Sequence, residues 1–250
     1  MIIRYAVKSC QGGRSYNEDT VQVHETAGKR LYVLADGLGG QGHGEVASAT
    51  AVNSVIHRAI WDGQNEQFIA AAIEGAQHAV REKRKENAEY RNMCTTLVVL
   101  TITGRIAQWG HIGDSRLYMF RRNRIYHQTL DHSVPQMLVR VGELDPSQIR
   151  KHPDRNRLLH SIGYEWSGRP YSIGPETELM EGDAFLLCSD GFWEYIEETE
   201  MISLLKKHKD PVSWLEAMRK IVAQRGRDEQ QDNYSAICIK ICLLYTSPSP

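Results

Sequence analysis

A chain of 250 residues that is 41% hydrophobic can bury a substantial core, and its 30 Lys and Arg nearly balance its 31 Asp and Glu. That balance excludes a general nucleic-acid binder, which carries a clear basic excess, and the mixed-sign run at residues 81–86 reads as a solvated helix face. The first seven residues are interrupted too soon for a signal peptide, and no apolar run reaches bilayer length. The five cysteines (Cys10, Cys94, Cys188, Cys238, Cys242) form no C-x-x-C pair, so the expectation is a cytoplasmic protein in a reducing compartment, with no nucleic acid and no membrane as partner.

Along the chain, strand-like segments come first, at residues 2–8, 20–25 and 31–35, separated by Gly- and charge-containing turns. Residues 45–61 carry Val46, Ala49, Ala51, Val52, Val55, Ile56 and Ile60 as a wide apolar stripe at helical spacing. A second helix is expected from about 66 to 89, its Ala-rich first half buried and its charged second half exposed. The runs 95–103, 105–112, 116–121 and 124–128 read as a β-meander, because Thr103-Gly104 and Arg122-Asn123 leave room only for antiparallel hairpins. Residues 131–182 are irregular apart from a short helix near 134–141, and so long an irregular stretch inside a domain is usually functional. Order returns with a strand at 184–189, helices near 199–208 and 211–224, and a last strand at 234–241. Long helices mixed with antiparallel strands give an α+β class, sheets packed together with helices outside. With no linker and no internal repeat, residues 1–242 read as one domain. Residues 243–250 (Leu-Leu-Tyr-Thr-Ser-Pro-Ser-Pro) cannot continue a ladder and are expected to be a non-native or disordered tail.

Several acids share one kind of position, the junction of an apolar strand with a turn. Asp36 follows Tyr32-Val33-Leu34-Ala35, Asp190 follows Phe185-Leu186-Leu187-Cys188-Ser189, and Asp114 follows a strand ending in Ile112-Gly113. Asp232 lies just before the last strand, and Glu18-Asp19 just before the second. Singly, an Asp-Gly after a strand is an ordinary turn. The repetition carries the argument: strand ends on one rim can gather such side chains, and an oxygen-only cluster suits Mg²⁺ or Mn²⁺. Gly37-Leu38-Gly39-Gly40-Gln41-Gly42 satisfies G-x-G-x-x-G after a strand and before a helix, yet another helix follows and no second parallel strand comes within ~30 residues. These glycines are better suited to letting backbone, notably the Gly37 carbonyl, approach a metal. Arg14, on the Gly-rich turn Gln11-Gly12-Gly13-Arg14, could grip two phosphate oxygens with its guanidinium fork.

Taken together, Arg14-x-x-Asn17-Glu18-Asp19, Ala35-Asp36-Gly37-x-Gly39-Gly40, Glu45-x-Ala47-Ser48, Thr95-Thr96-Leu97, Gly113-Asp114-Ser115-Arg116-x-Tyr118, Asp131-His132-Ser133, Ser189-Asp190-Gly191 and Asp232-Asn233 resemble the PP2C-type (PPM) protein phosphatases, and its compact bacterial members in particular. The resemblance implies a four-layer αββα sandwich of two antiparallel sheets flanked by helices, with a flap insertion at about 131–182. It implies hydrolysis of phosphoserine and phosphothreonine in proteins by a water bridging two Mn²⁺ or Mg²⁺ ions. Asp36, a catalytic residue with Arg14, would bridge both ions. Asp190 and Asp232 would complete one site, and Glu18 and the Gly37 carbonyl the other. Asp114 with Asp190 would be placed to hold a third ion, Asp19 and Asn233 would act from behind the ligands, and Arg14 would bind the substrate phosphate. The expected partners are phosphorylated proteins, a Ser/Thr kinase and its substrates, met by a monomer. Leu38 stands where animal members carry a His proposed as general acid, so the proton donor stays open; His43, alone in a Gly-rich loop, reads as a bystander, and His132 could brace the flap through a hydrogen bond. The alternative is a PP2C-like binding module without activity, but such domains lack ligand acids, and Glu18, Asp36, Asp190 and Asp232 are all present here.

Overall fold

The strands that looked most apolar are buried on both faces in the computed structural model, which describes residues 1–26, 28–38, 42–61, 67–227 and 231–242. The chain opens with β1 (Ile2–Cys10), β2 (Thr20–Thr26), β3 (Lys29–Ala35) and the two-residue β4 (Gly37–Leu38), followed by helices α1 (Gly44–Trp61) and α2 (Phe68–Glu86). After a 3₁₀ turn (Ala88–Asn92) come β5 (Cys94–Thr95), β6 (Leu97–Thr103), β7 (Ile106–Ile112), β8 (Arg116–Arg121) and β9 (Arg124–Gln128). The irregular stretch holds α3 (Val134–Arg140), a 3₁₀ turn (Pro146–Lys151), β10 (Ser172–Ile173) and β11 (Thr177–Glu178). The chain closes with β12 (Ala184–Cys188), α4 (Asp190–Trp193), α5 (Glu198–Lys207), α6 (Pro211–Arg225) and β13 (Tyr234–Cys242).

Among the described residues two large antiparallel sheets result, one ordered β1-β13-β12-β8-β9 and the other β10-β7-β6-β3-β2, with β11 also on β7, while β4 and β5 pair as a separate two-stranded sheet. Alternation along each strand sends residues to two cores. From β3, Tyr32 and Leu34 point between the sheets to meet Leu117, Met119, Phe185, Leu187, Ile237 and Ile239. Leu31, Val33 and Ala35 pack on the opposite face against α1 and α2, while Tyr118, Leu186 and Cys238 of the other sheet pack against α4, α5 and α6. Three apolar layers between four structural ones make the αββα sandwich. Every strand pairing among the described residues is antiparallel, which leaves no βαβ unit for a dinucleotide. Among the described residues no helix is long and apolar enough to cross a membrane.

Three expectations need correction. The runs from 95 to 128 are not one meander: β6 and β7 belong to one sheet, β8 and β9 to the other. The chain changes sheet at Gly113, whose φ is +100° and where a Cβ would lie 2.7 Å from Thr96 Cβ. The second helix ends at Glu86, because Asn87 turns extended and its side chain accepts the Glu89 N–H (3.0 Å) to start a 3₁₀ turn. Ile60, placed on the buried stripe of the first helix, is exposed. Gly39, Gly40, Gln41 and the expected tail at 243–250 lie outside the described residues.

Candidate active site

Asp36 leaves the end of β3 with its backbone pinned from two directions. Its N–H donates to Thr96 Oγ1 (3.0 Å), and its carbonyl accepts from Thr95 Oγ1 (2.7 Å) and from the Thr96 N–H (2.9 Å). The Thr95-Thr96 pair is thus what aims the acid, a role its sequence pattern did not disclose. Asp190 opens α4 instead of ending a strand turn, and its Oδ1 accepts from the Gly191 N–H. Asp114 follows the sheet-changing Gly113; its carbonyl accepts from Trp193 Nε1 (3.0 Å), while its buried Oδ1 has no hydrogen-bond partner among the described residues.

The N-terminal loop is tied to the last strand by Asn233. Its Nδ2 donates to the carbonyls of Gln11 (2.7 Å) and Tyr16 (2.9 Å), and its Oδ1 accepts from the Glu18 N–H (2.8 Å). That clamp sets where Arg14 and Glu18 project. Arg14 does not hang free: its Nε and Nη2 reach both carboxylate oxygens of Asp232 at 3.0 and 2.6 Å. Glu18 Oε1 accepts from the Gly44 N–H (3.2 Å), where the chain packs so closely that a Cβ on Gly37 would sit 2.3 Å from the Gly44 carbonyl oxygen. Close approach of backbone is therefore what the glycines provide there. Asp19 stands behind, its Oδ2 accepting from Ser189 Oγ (2.9 Å) and its buried Oδ1 without a partner among the described residues.

Arg14, Glu18, Asp36, Gly37, Asp114, Asp190 and Asp232 all line one cavity of ≈ 810 Å³, joined from the irregular segment by Asn156, Arg157, Leu158 and Tyr164. The electrostatics are those of too many acids in one place. Burial, then the neighbouring Asp190, Asp19 and Asp114, holds Asp36 well above the usual carboxylate range, and Asp36 and Asp190 share a hydrogen bond. Burial and Asp190 raise Asp114 in the same way, and burial raises Glu18. Asp19 is pushed up to about 7, chiefly by burial. Glu194, which the sequence reading missed, is also pushed up to about 7 by burial and by Asp190, four residues before it, and pairs with Arg155 at 3.0 Å.

Among the described residues no three His, Cys, Asp or Glu side chains are drawn together into a finished coordination shell. The donor set nevertheless fits hard divalent cations. It is all oxygen, burial and then neighbouring carboxylates raise Asp36 and Asp114, Asp114 Oδ1 lacks a partner among the described residues, and Gly37 and Gly44 leave no room for a Cβ beside Glu18.

One consequence is a stability that falls with pH. Carboxyls whose folded pKa is raised stabilise the fold below their unfolded value, and that contribution is lost as pH rises through the folded value. With Asp19 and Glu194 near 7, the loss falls between about pH 4 and pH 8. In EDTA the melting temperature is expected to be about 5 °C lower at pH 8 than at pH 5.5, and Mn²⁺ should narrow the gap. A melting temperature that climbs over this range would contradict the crowding of these acids.

The sequence model for the family described as Protein phosphatase 2C matches residues 8–233. The chain is 31% identical over 214 residues to the serine/threonine protein phosphatase PstP of Mycobacterium tuberculosis, covering 82% of this chain and 39% of that protein. It is 34% identical over 197 residues to protein phosphatase PhpP of Streptococcus pneumoniae, covering 75% of this chain and 78% of that one. A crystal structure of the catalytic domain of PstP in complex with two manganese ions superposes with a TM-score of 0.81 at 27% identity, covering 96% of this chain and 99% of that chain. The chain belongs to the protein phosphatase 2C family. It spans 39% of the length of the M. tuberculosis relative.

Proposed function

We propose that the protein hydrolyses phosphoserine and phosphothreonine in proteins at a centre of two Mn²⁺ or Mg²⁺ ions. The observation that carries this reading is the gathering of Glu18, Asp36, Asp114, Asp190 and Asp232, from separate stretches of chain, around one cavity where burial and then neighbouring carboxylates hold Asp36 and Asp114 well above the usual carboxylate range. Asp36 would lie between the ions, Asp190 and Asp232 would hold one, and Glu18 with the Gly37 carbonyl the other; Asp114 and Asp190 would hold a third. Bound ions would supply a water acidic enough to deprotonate near neutral pH and would offset the phosphate's charge.

The protein's own residues bind and orient. Arg14 is held at the cavity rim by the Asn233 clamp, where its fork can take two phosphate oxygens in place of the Asp232 carboxylate it now grips. Asp36 and Arg14 are the catalytic residues of this reading, and Asp19 and Asn233 keep the ligands in place. Leu38 has no proton to give, so the leaving oxygen takes its proton from another group. Residues 131–182 serve as the flap of a single domain over 1–242, supported by Asn156, Arg157, Leu158 and Tyr164 lining the cavity. The setting we infer is a cytoplasmic monomer acting opposite a Ser/Thr kinase, for which the free thiols at Cys10, Cys94, Cys188, Cys238 and Cys242 are suited.

Purified protein with millimolar Mn²⁺ is expected to release phosphate from phosphoserine and phosphothreonine peptides, with EDTA abolishing turnover and phosphotyrosine peptides reacting at least about tenfold more slowly. Absence of metal-dependent turnover would return the chain to the inactive binding module. Equal rates on phosphotyrosine would remove the Ser/Thr assignment.

A further inference from the structure

Asp114 projects an acid into the cavity that nothing among the described residues holds by its Oδ1. Its placement therefore depends on its backbone. On one side Trp193 Nε1 donates to the Asp114 carbonyl at 3.0 Å. On the other stands Gly113, in a left-handed conformation, and both polar atoms of its backbone belong to one residue of the irregular segment. The Gly113 N–H donates to His132 Nδ1 (3.2 Å), and the His132 N–H donates to the Gly113 carbonyl (2.9 Å).

This exchange fixes the state of the ring. A nitrogen that accepts from an N–H carries no proton, so His132 is neutral and protonated on Nε2, which donates to Ser172 Oγ at 3.0 Å. His111 stacks on it with ring centroids 4.6 Å apart and 8° between planes, and its Nε2 faces the Leu130 carbonyl at 2.9 Å. Burial, with His111 and His160 alongside, pushes His132 down to about 3, in keeping with the geometry. The His132 carbonyl in turn accepts the Leu159 N–H (2.8 Å), and Leu158 lines the cavity. One residue thus joins the turn before Asp114 to the segment that forms one wall of the cavity.

We propose that His132 is the positioning residue for Asp114, its Nδ1 and backbone N–H gripping Gly113 so that the Asp114 carboxylate meets a divalent cation and so that cation binding is linked to the 131–182 segment. The inference rests on the reading of Asp114 as a cation ligand. Asparagine puts its Oδ1 near the position of His Nδ1, whereas glutamine puts its polar end near Nε2. Titration calorimetry of the metal-free protein with Mn²⁺ is expected to show the weakest site lost or weakened about tenfold in Asp114→Asn and in His132→Gln. His132→Asn is expected to stay within about threefold of wild type, and Ser172→Ala, which removes only the Nε2 partner, to bind as wild type does.

An Asp114→Asn isotherm unchanged from wild type would overturn the ligand reading and the proposal with it. A shift in Asp114→Asn with none in His132→Gln would overturn the positioning role alone. Should His132→Gln fail to fold, His132→Asn still decides: Mn²⁺ binding weakened as much as in Asp114→Asn would sink the proposal.

Discussion

Replacing Asp36 with asparagine is expected to lower Mn²⁺-dependent phosphate release by about three orders of magnitude or more while leaving the metal-free protein as stable as wild type or more so. Both halves follow from the surroundings of Asp36. The charges of Asp190, Asp19 and Asp114 all act on it, so removing its carboxylate relieves like-charge repulsion in the buried cluster. Its backbone is held by Thr95 and Thr96, so the near-isosteric amide enters without moving the chain. What disappears is the negative oxygen placed to be shared between two ions. Acids gathered for function at a cost to the fold are expected where activity and stability trade against each other. Aryl-phosphate turnover at saturating Mn²⁺ and melting temperature in EDTA are the two measurements. More than a few per cent residual turnover would end the bridging role, and a melting temperature lowered by several degrees would mean that the lost activity reports unfolding.

How much of this was legible depended on whether the information was local. The apolar run Leu31–Ala35 ending at Asp36 announces both a buried strand and an acid at its tip, and β12 before Asp190 does the same. Period-two patterning does not say which sheet a strand joins, so β7 and β8 looked continuous although the left-handed Gly113 carries the chain between sheets. The two-residue strands β4, β5, β10 and β11 are too short to show any period. Glu194 escaped because Asp190-Gly191 looked like a turn, when it is the start of α4 that brings a residue four positions later back beside Asp190. The pairing of Arg14 with Asp232 joins residues 218 positions apart, and no local pattern encodes it. The resemblance assigned those two residues to a phosphate and a metal, and the structure adds that they also hold each other.

Beneath the Asp114 turn lies the interaction whose loss should harm the fold most. Arg116 donates through Nε and Nη2 to both oxygens of Asp131 at 2.8 and 2.7 Å, with the two side chains only 3% and 1% exposed. The guanidinium also lies 3.4 Å from the centre of the Trp193 ring, and its Nη1 donates to Tyr118 Oη at 3.1 Å. Arg116→Met strips the cation and leaves Asp131 charged and buried, a loss of about 3–5 kcal/mol, or about 10 °C in melting temperature for a chain of this size. Asp131→Asn should cost less, because Arg116 would keep Glu198, 3.8 Å away, as a partial counter-charge. Pairing Arg116→Met with Asp131→Leu should recover part of the loss, since two apolar groups replace a stranded ion. Arg116 lies two residues after Asp114 and Asp131 one before His132, so the single variant should also weaken Mn²⁺ binding at the cavity. A melting temperature within about 2 °C of wild type would show that water reaches this bridge and that it does not hold the turn.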